Sequence, residues 1–193
     1  KTMRKVLLAA ALMTGLTSTA AVAQTSIEGL ARTCNACHGV AGVSVGTSMP
    51  SIGGLPRDYL RTVMKQWKYG ERSAITMSRI VKGFSDDEID ALAVYFAKQP
   101  WVPASQQAPA EVLAKGQAVI SDICTDCHGG NGGDPDVDAP RLDGQWSRYM
   151  ELELEKYQSA DFKMPHRKMK KSLDETQPAG ASAAAHYFGA QKK

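Results

Sequence analysis

Apolar residues recur at helical spacing along most of this 193-residue chain, and no stretch alternates like a strand. Leu60, Val63, Met64 and Trp67 fall on one face of a helix beginning at Pro56. Ile89, Leu92, Ala93 and Phe96 form the apolar face of another, opened by the capping box Ser85-x-x-Glu88. Thr25-x-x-Glu28 is a similar start signal further upstream. Met150, Leu154 and Tyr157 repeat the middle helix, and residues 181–190 form a terminal one. The pattern predicts an all-α protein.

The elements come in two sets. Cys34, Cys37 and His38 recur 90 residues later as Cys124, Cys127 and His128, as do Pro50 at Pro140, Gly54 at Gly144 and Tyr59 at Tyr149. Near the end the offset becomes 92, with Tyr95-Phe96 repeated as Tyr187-Phe188. The division predicted is residues 24–100 and 110–193, joined by a Pro-rich polar linker over 101–109. A module of this size needs more than its own side chains for a core, and a buried cofactor supplies it.

The start of the chain changes the charge balance. Arg4 and Lys5, an apolar run from Val6 to Leu16 and small residues ending Ala21-Val22-Ala23 read as a secretory signal over residues 1–23. The run is too short to span a bilayer. Of 23 basic and 20 acidic residues, Lys1, Arg4 and Lys5 leave with the signal, so the mature chain is formally neutral. That balance argues against nucleic-acid binding. The expectation is a periplasmic protein with no membrane span in the mature chain.

All four cysteines lie in two Cys-x-x-Cys-His pentapeptides, the attachment signature of haem c. The thiols, one helical turn apart, add across two porphyrin vinyl groups, and the adjacent histidine falls under the iron. Zinc would need four converging ligands, and a redox dithiol would not need the histidine. Two covalently bound haems c are therefore expected, on Cys34 and Cys37 and on Cys124 and Cys127, with His38 and His128 as proximal ligands. For the sixth position of haem 1 the favoured residue is Met77, with Met49 and Met64 as competitors. For haem 2 the segment "ADFKMPHRKMKKS" offers Met164, His166 and Met169; transfer from Met77 with a three-residue deletion selects Met164. His186 reads as a surface or haem-edge residue.

These residues resemble the two-haem class I cytochromes c of the c-four class. They resemble still more the cytochrome subunits of flavocytochrome c sulfide dehydrogenases. The likeness is carried by "CNACHG", "SVGTSMPSIGG", "ITMSRIVKGFSDDE" soon after "KYGE", "KQPWVPA" and "LDGQWSRYM"; "MPHRKM" departs from it. The resemblance implies tandem class I cytochrome c domains and a partner subunit that oxidises sulfide with FAD. Electrons would pass from that flavin through both haems to a soluble cytochrome c. No G-x-G-x-x-G follows a strand here, so FAD would belong to the partner alone and this chain would not act on sulfide by itself. A free two-haem shuttle to an oxidase or reductase is the alternative, and a two-haem peroxidase would need an open iron position. Trp101, Trp146 and the linker prolines are candidate partner contacts, unless both tryptophans pack inside. The run Lys163, Arg167, Lys168, Lys170 and Lys171 is a candidate for steering an acidic acceptor.

Overall fold

The computed structural model describes residues 26–192; the expected signal at 1–23 and Thr25 lie outside them. Ten α-helices and two single-turn 3-10 helices (Val40–Gly42 and Val81–Gly83) make up the regular structure of the described residues, and there are no strands among them. In the first module these are α1 (Ile27–Arg32), α2 (Asn35–His38), α3 (Arg57–Tyr69), α4 (Met77–Ile80) and α5 (Asp86–Ala97). In the second they are α6 (Ala110–Val119), α7 (Ser121–His128), α8 (Ser147–Gln158), α9 (Arg167–Asp174) and α10 (Pro178–Ala190).

Local chemistry sets several ends. The Ser85 side chain accepts from Glu88 N while the Glu88 carboxylate accepts from Ser85 N, completing the expected capping box of α5. At α1 the cap is Ser26, whose Oγ accepts from Gly29 N at 3.1 Å, one residue beyond the Thr25 read from sequence. Helix α10 starts at Pro178, three residues before the expected Ala181, because proline is preformed for the first turn. Helix α9 begins inside the segment that offers the candidate ligands Met164, His166 and Met169.

Each module buries an apolar cluster beside its first cysteine, and the second adds a smaller one of Tyr157, Leu173 and Ala181. Ile89, Leu92, Ala93 and Phe96 are all buried on α5, as their spacing predicts. Leu92, Ala93 and Phe96 pack with Ala31, Leu55 and Leu60, and Cys34 and Tyr59 lean on that cluster. In the second module Ile120, Met150, Ala184, Ala185 and Phe188 do the same, with Cys124 and Tyr149 against them. The equivalences extend to the backbone. Gly54 N donates to Phe96 O at 2.9 Å, and Gly144 N donates to Phe188 O at 2.9 Å.

The linker is pinned rather than loose. A Cβ on Gly54, which has φ +77°, would lie 2.8 Å from Trp101 N; one on Gly144, with φ +69°, would lie 2.4 Å from Pro103 Cβ. Only glycine satisfies both the backbone angle and this approach. Ala104 N donates to Gly144 O at 2.7 Å, and the Gln106 amide donates to Gln145 O and Gly189 O at 2.6 and 2.8 Å.

The two modules meet about an approximate twofold. Ser73 and Lys163, 90 apart, bond each other: Ser73 N donates to Lys163 O and Lys163 N to Ser73 Oγ, both at 3.1 Å. Equivalent residues in mutual contact are the mark of a twofold seam. Nearby, the buried Gln145 amide accepts from Ser51 N (3.0 Å) and donates to Ser51 O (2.8 Å). Trp146 Nε1 donates to Ser44 O at 3.0 Å. Trp101 Nε1 donates to Asp143 O at 2.9 Å, with the Arg141 guanidinium 5.2 Å from its ring centre. Both indole N–H groups are thus bonded within the chain, while both rings stay half-buried. Gln145→Ala orphans two buried backbone groups of Ser51, at about 1–3 kcal/mol each. The expected result is a lower melting temperature with the two modules unfolding separately. A single transition at the wild-type temperature would show that this bond does not hold the seam.

Candidate functional site

Helix α1 hands over to α2 at Thr33-Cys34, and the turn of α2 sets Cys34 and Cys37 on either side of one helical step. Gly39, with φ 75°, turns the chain away beyond His38. The fold then returns Pro50 beneath the ring: His38 Nδ1 lies 2.9 Å from Pro50 O. A carbonyl can only accept, so the neutral ring carries its proton on Nδ1 and keeps the Nε2 lone pair for a metal. Burial lowers the His38 pKa and so favours that neutral form.

The second site repeats these features. Gly129 has φ 77°, His128 is buried, and its Nδ1 donates to Pro140 O at 2.9 Å. Burial lowers the His128 pKa as well, with His166 adding to the effect. Desolvation pushes the Cys34 and Cys124 thiols up, which disfavours the thiolate needed for exchange within either pair. No disulfide joins the four cysteines. Two thiols one turn apart beside a buried imidazole with a free Nε2 make a donor set that fits a covalently held haem iron. Among the described residues no group of three or more His, Cys, Asp or Glu converges so as to hold a metal ion by itself.

The methionines divide by position. Met77 is half-buried at the first turn of α4, and Val81, four residues on, is fully buried. Met64 stands in α3, half-buried against the core. Met49 is exposed at 42%. In the second module, Ser85 at the start of α5 corresponds to Gln177 at the start of α10, and buried Val81 to buried Leu173, both 92 residues apart. This register puts Met169, on α9, at the place of Met77; each stands 18 residues before the tyrosine of its Tyr-Phe pair. Ser73 and Lys163 still correspond at 90, so two residues are inserted in the short loop between Lys163 and α9. The deletion that selected Met164 runs against this register. Met164 instead packs with Phe162 on the Tyr157, Leu173 and Ala181 cluster and borders a cavity of about 380 Å³ among Arg167, Lys170 and Lys171. Met169 also touches that cluster.

His166 has another role. Its Nδ1 accepts from Met169 N at 3.3 Å and so caps α9, while Nε2 faces Asp138 at 3.8 Å. His186 Nε2 lies 3.2 Å from Glu151 Oε1, an ordinary tie between α10 and α8. The basic run is partly neutralised, since Lys170 pairs with Asp174 at 2.7 Å and Lys171 with Glu175 at 3.8 Å. Sequence reading missed one residue altogether. Arg72 is buried at 8% exposure, and its Nη1 donates to Tyr157 OH across the seam at 3.2 Å. A lone arginine after a helix gives no signal of this.

Comparison with known proteins agrees with the geometry. Residues 23–96 match the family profile described as cytochrome C oxidase, cbb3-type, subunit III. Cytochrome c4 of Pseudomonas aeruginosa is 31% identical over 161 residues, covering 79% of this chain and 80% of that protein. The cytochrome subunit of sulfide dehydrogenase from Chlorobaculum tepidum is 38% identical over 69 residues, covering 36% of this chain and 62% of that protein. The crystal structure of reduced recombinant cytochrome c4 from Pseudomonas stutzeri superposes with a TM-score of 0.74 at 21% identity, covering 86% of this chain and 97% of that one.

Proposed function

The chain belongs to the cytochrome c4 family of two-haem class I cytochromes c, and on that premise we propose that it is a periplasmic electron carrier with both haems covalently attached. The observation that carries this reading is the doubled Cys-x-x-Cys-His site, with each imidazole locked by a proline carbonyl so that Nε2 is free. Haem c supplies a one-electron Fe(III)/Fe(II) couple when bound. Cys34 and Cys37 would hold the first group and Cys124 and Cys127 the second. His38 and Met77 would hold one iron, and His128 and Met169 the other, Met169 by the 92-residue register.

The chain's own residues do the rest. Pro50 and Pro140 fix ring orientation and tautomer. Thioether ligands would favour Fe(II) and would leave no open position for peroxide, which argues for relay. The apolar clusters behind Cys34 and Cys124 keep water from the buried side. Gln145, Trp146 and the pinned linker hold the modules at one separation, so transfer between them needs no docking step.

The donor we propose is the FAD-containing subunit of a sulfide dehydrogenase, and the acceptor a soluble cytochrome c. The shorter sulfide dehydrogenase match supports this donor. The match to cytochrome c4 across most of both chains supports a free shuttle equally, with the same two-haem chemistry. No helix of the described residues is long and apolar enough to cross a membrane.

Full-length protein made with a haem c maturation system should stain for haem after denaturation and give two haems per chain by pyridine haemochrome. One haem or none would sink the assignment. Purified from its own cells, it should co-elute with a flavin-containing subunit whose addition makes haem reduction by sulfide fast. A flavin-free protein that sulfide plus flavoprotein cannot reduce would leave the shuttle and remove the sulfide donor.

A further inference from the structure

The loop that wraps His128 contains a buried ion pair. Asp143 is fully buried, and its carboxylate accepts from both arms of the Arg141 guanidinium, Nε to Oδ1 at 2.5 Å and Nη2 to Oδ2 at 2.8 Å. Arg141 directly follows Pro140, whose carbonyl holds the His128 Nδ1 proton. Leu142 N and Asp143 N both donate to Gly132 O, at 2.8 and 3.2 Å, which closes the loop on itself. The carboxylate lies inside that closure, since a Cβ on Gly133 would stand 3.2 Å from Asp143 Cγ and Oδ2. The Arg141 side chain stays 23% exposed.

The first module builds the same loop without the pair. Ile52 N and Gly53 N donate to Gly42 O at 2.8 and 3.1 Å, and Pro50 O serves His38 as Pro140 O serves His128. In the 90-residue register Arg141 and Asp143 correspond to Ser51 and Gly53. The loop therefore closes without charge. Burying two charges costs desolvation that their attraction returns only in part, so the pair needs a reason other than folding. Its field supplies one. A fully buried anion acts through a low dielectric, whereas its half-open cation is screened by water. Asp134, Asp136 and Asp138 of the same loop are exposed and screened likewise. The net field on the His128 side is that of Asp143.

Resting on the haem reading above, we propose that Arg141 and Asp143 hold the second haem's potential below the value its ligands alone would give, and so make two repeated sites unequal. Fe(III) carries one more positive charge than Fe(II), so a fixed anion on the proximal side favours the oxidised state. Asp143 supplies the charge. Arg141 is a positioning residue, because its fork keeps the carboxylate ionised and aimed into the loop.

The test is spectroelectrochemical titration of the two-haem protein, with haem counted in each sample by pyridine haemochrome. Asp143→Asn removes the anion at nearly constant shape and should raise one midpoint potential while the other stays in place. Arg141→Ser combined with Asp143→Gly writes the first module's residues into the second. It should raise the same midpoint by less, because the cation leaves too. Arg141→Lys should stay nearest the wild type. A pair that merely braced the loop would, once lost, admit water to the iron and lower the midpoint. An unchanged or lowered midpoint in Asp143→Asn therefore overturns the proposal, and so does an equal rise in both midpoints, which would report net charge rather than place. Should Asp143→Asn hold fewer than two haems, the double variant decides by the same sign. A double variant that also loses haem overturns the proposal, because the loop would then need the pair to fold. Fewer than two haems in the wild type would instead count against the haem assignment itself.

Discussion

Met169→Ala is expected to remove one haem's share of the weak far-red sulfur-to-iron band of the oxidised protein, and Met164→Ala to leave the band whole. The argument is one of register. From Val81 and Leu173 through Ser85 and Gln177 to the Tyr-Phe pairs, the second module runs 92 residues behind the first, and only Met169 keeps step with Met77. Loss of a thioether removes a ligand that favours Fe(II), so the second potential should fall on the order of 0.1 V, within the ~0.8 V that axial ligands span. Met164 sits half-buried in a side cluster, so its truncation should cost less than the ~2–5 kcal/mol of a fully buried methionine. His166→Ala supplies the control. Its Nδ1 accepts from Met169 N, so its loss should loosen α9 without raising the second potential. A full band in Met169→Ala, or half the band missing in Met164→Ala, would return the ligand to Met164.

Much of this was legible because it is local. Two cysteines and a histidine within one turn specify a haem site without any knowledge of the fold, and the 90-residue repeat gives two modules. Ser85 and Glu88 cap a helix by themselves, and the buried face of α5 follows from spacing alone. The choice between Met164 and Met169 turns on a local feature too. Transfer forward from Tyr157 crosses a loop with an insertion, whereas counting back from Tyr187 meets none. The seam was not legible. Gln145 bonds Ser51 across 94 residues and Trp146 bonds Ser44 across 102, and periodicity carries no information about such pairs. An exposed tryptophan and one spent on a backbone carbonyl look alike in sequence. The same holds for Arg72, whose meaning depends on Tyr157 lying opposite.

Stability is expected to collapse at alkaline pH, and the tyrosine cluster sets where. Burial raises the pKa of Tyr59, and raises those of Tyr149 and Tyr157 well above the ordinary value of 10.0. Tyr59 and Tyr149 are half-buried, and desolvation is the largest cause of the rise in each. A raised acid is one that the folded chain holds more tightly in its protonated form. Below pH 10 both folded and unfolded tyrosines are neutral, and the full contribution is present. Above pH 10 the unfolded chain releases these protons while the folded chain keeps them, so unfolding is favoured increasingly until the folded values are passed. Each such group contributes a slope of about 1.4 kcal/mol per pH unit, so the three together approach about 4. Lys65 and Lys68, raised by hydrogen bonds to Asp90 and Asp86, act in the same direction at the surface. Denaturant melts of the haem-loaded protein at stepped pH from 8 to 11 measure the slope directly. Tyr157→Phe should reduce it by about a third, because one of three protons no longer takes part. An unchanged slope in that variant, or stability that holds flat through pH 11, would mean that the hydroxyls reach water and that the seam is open where the structure closes it.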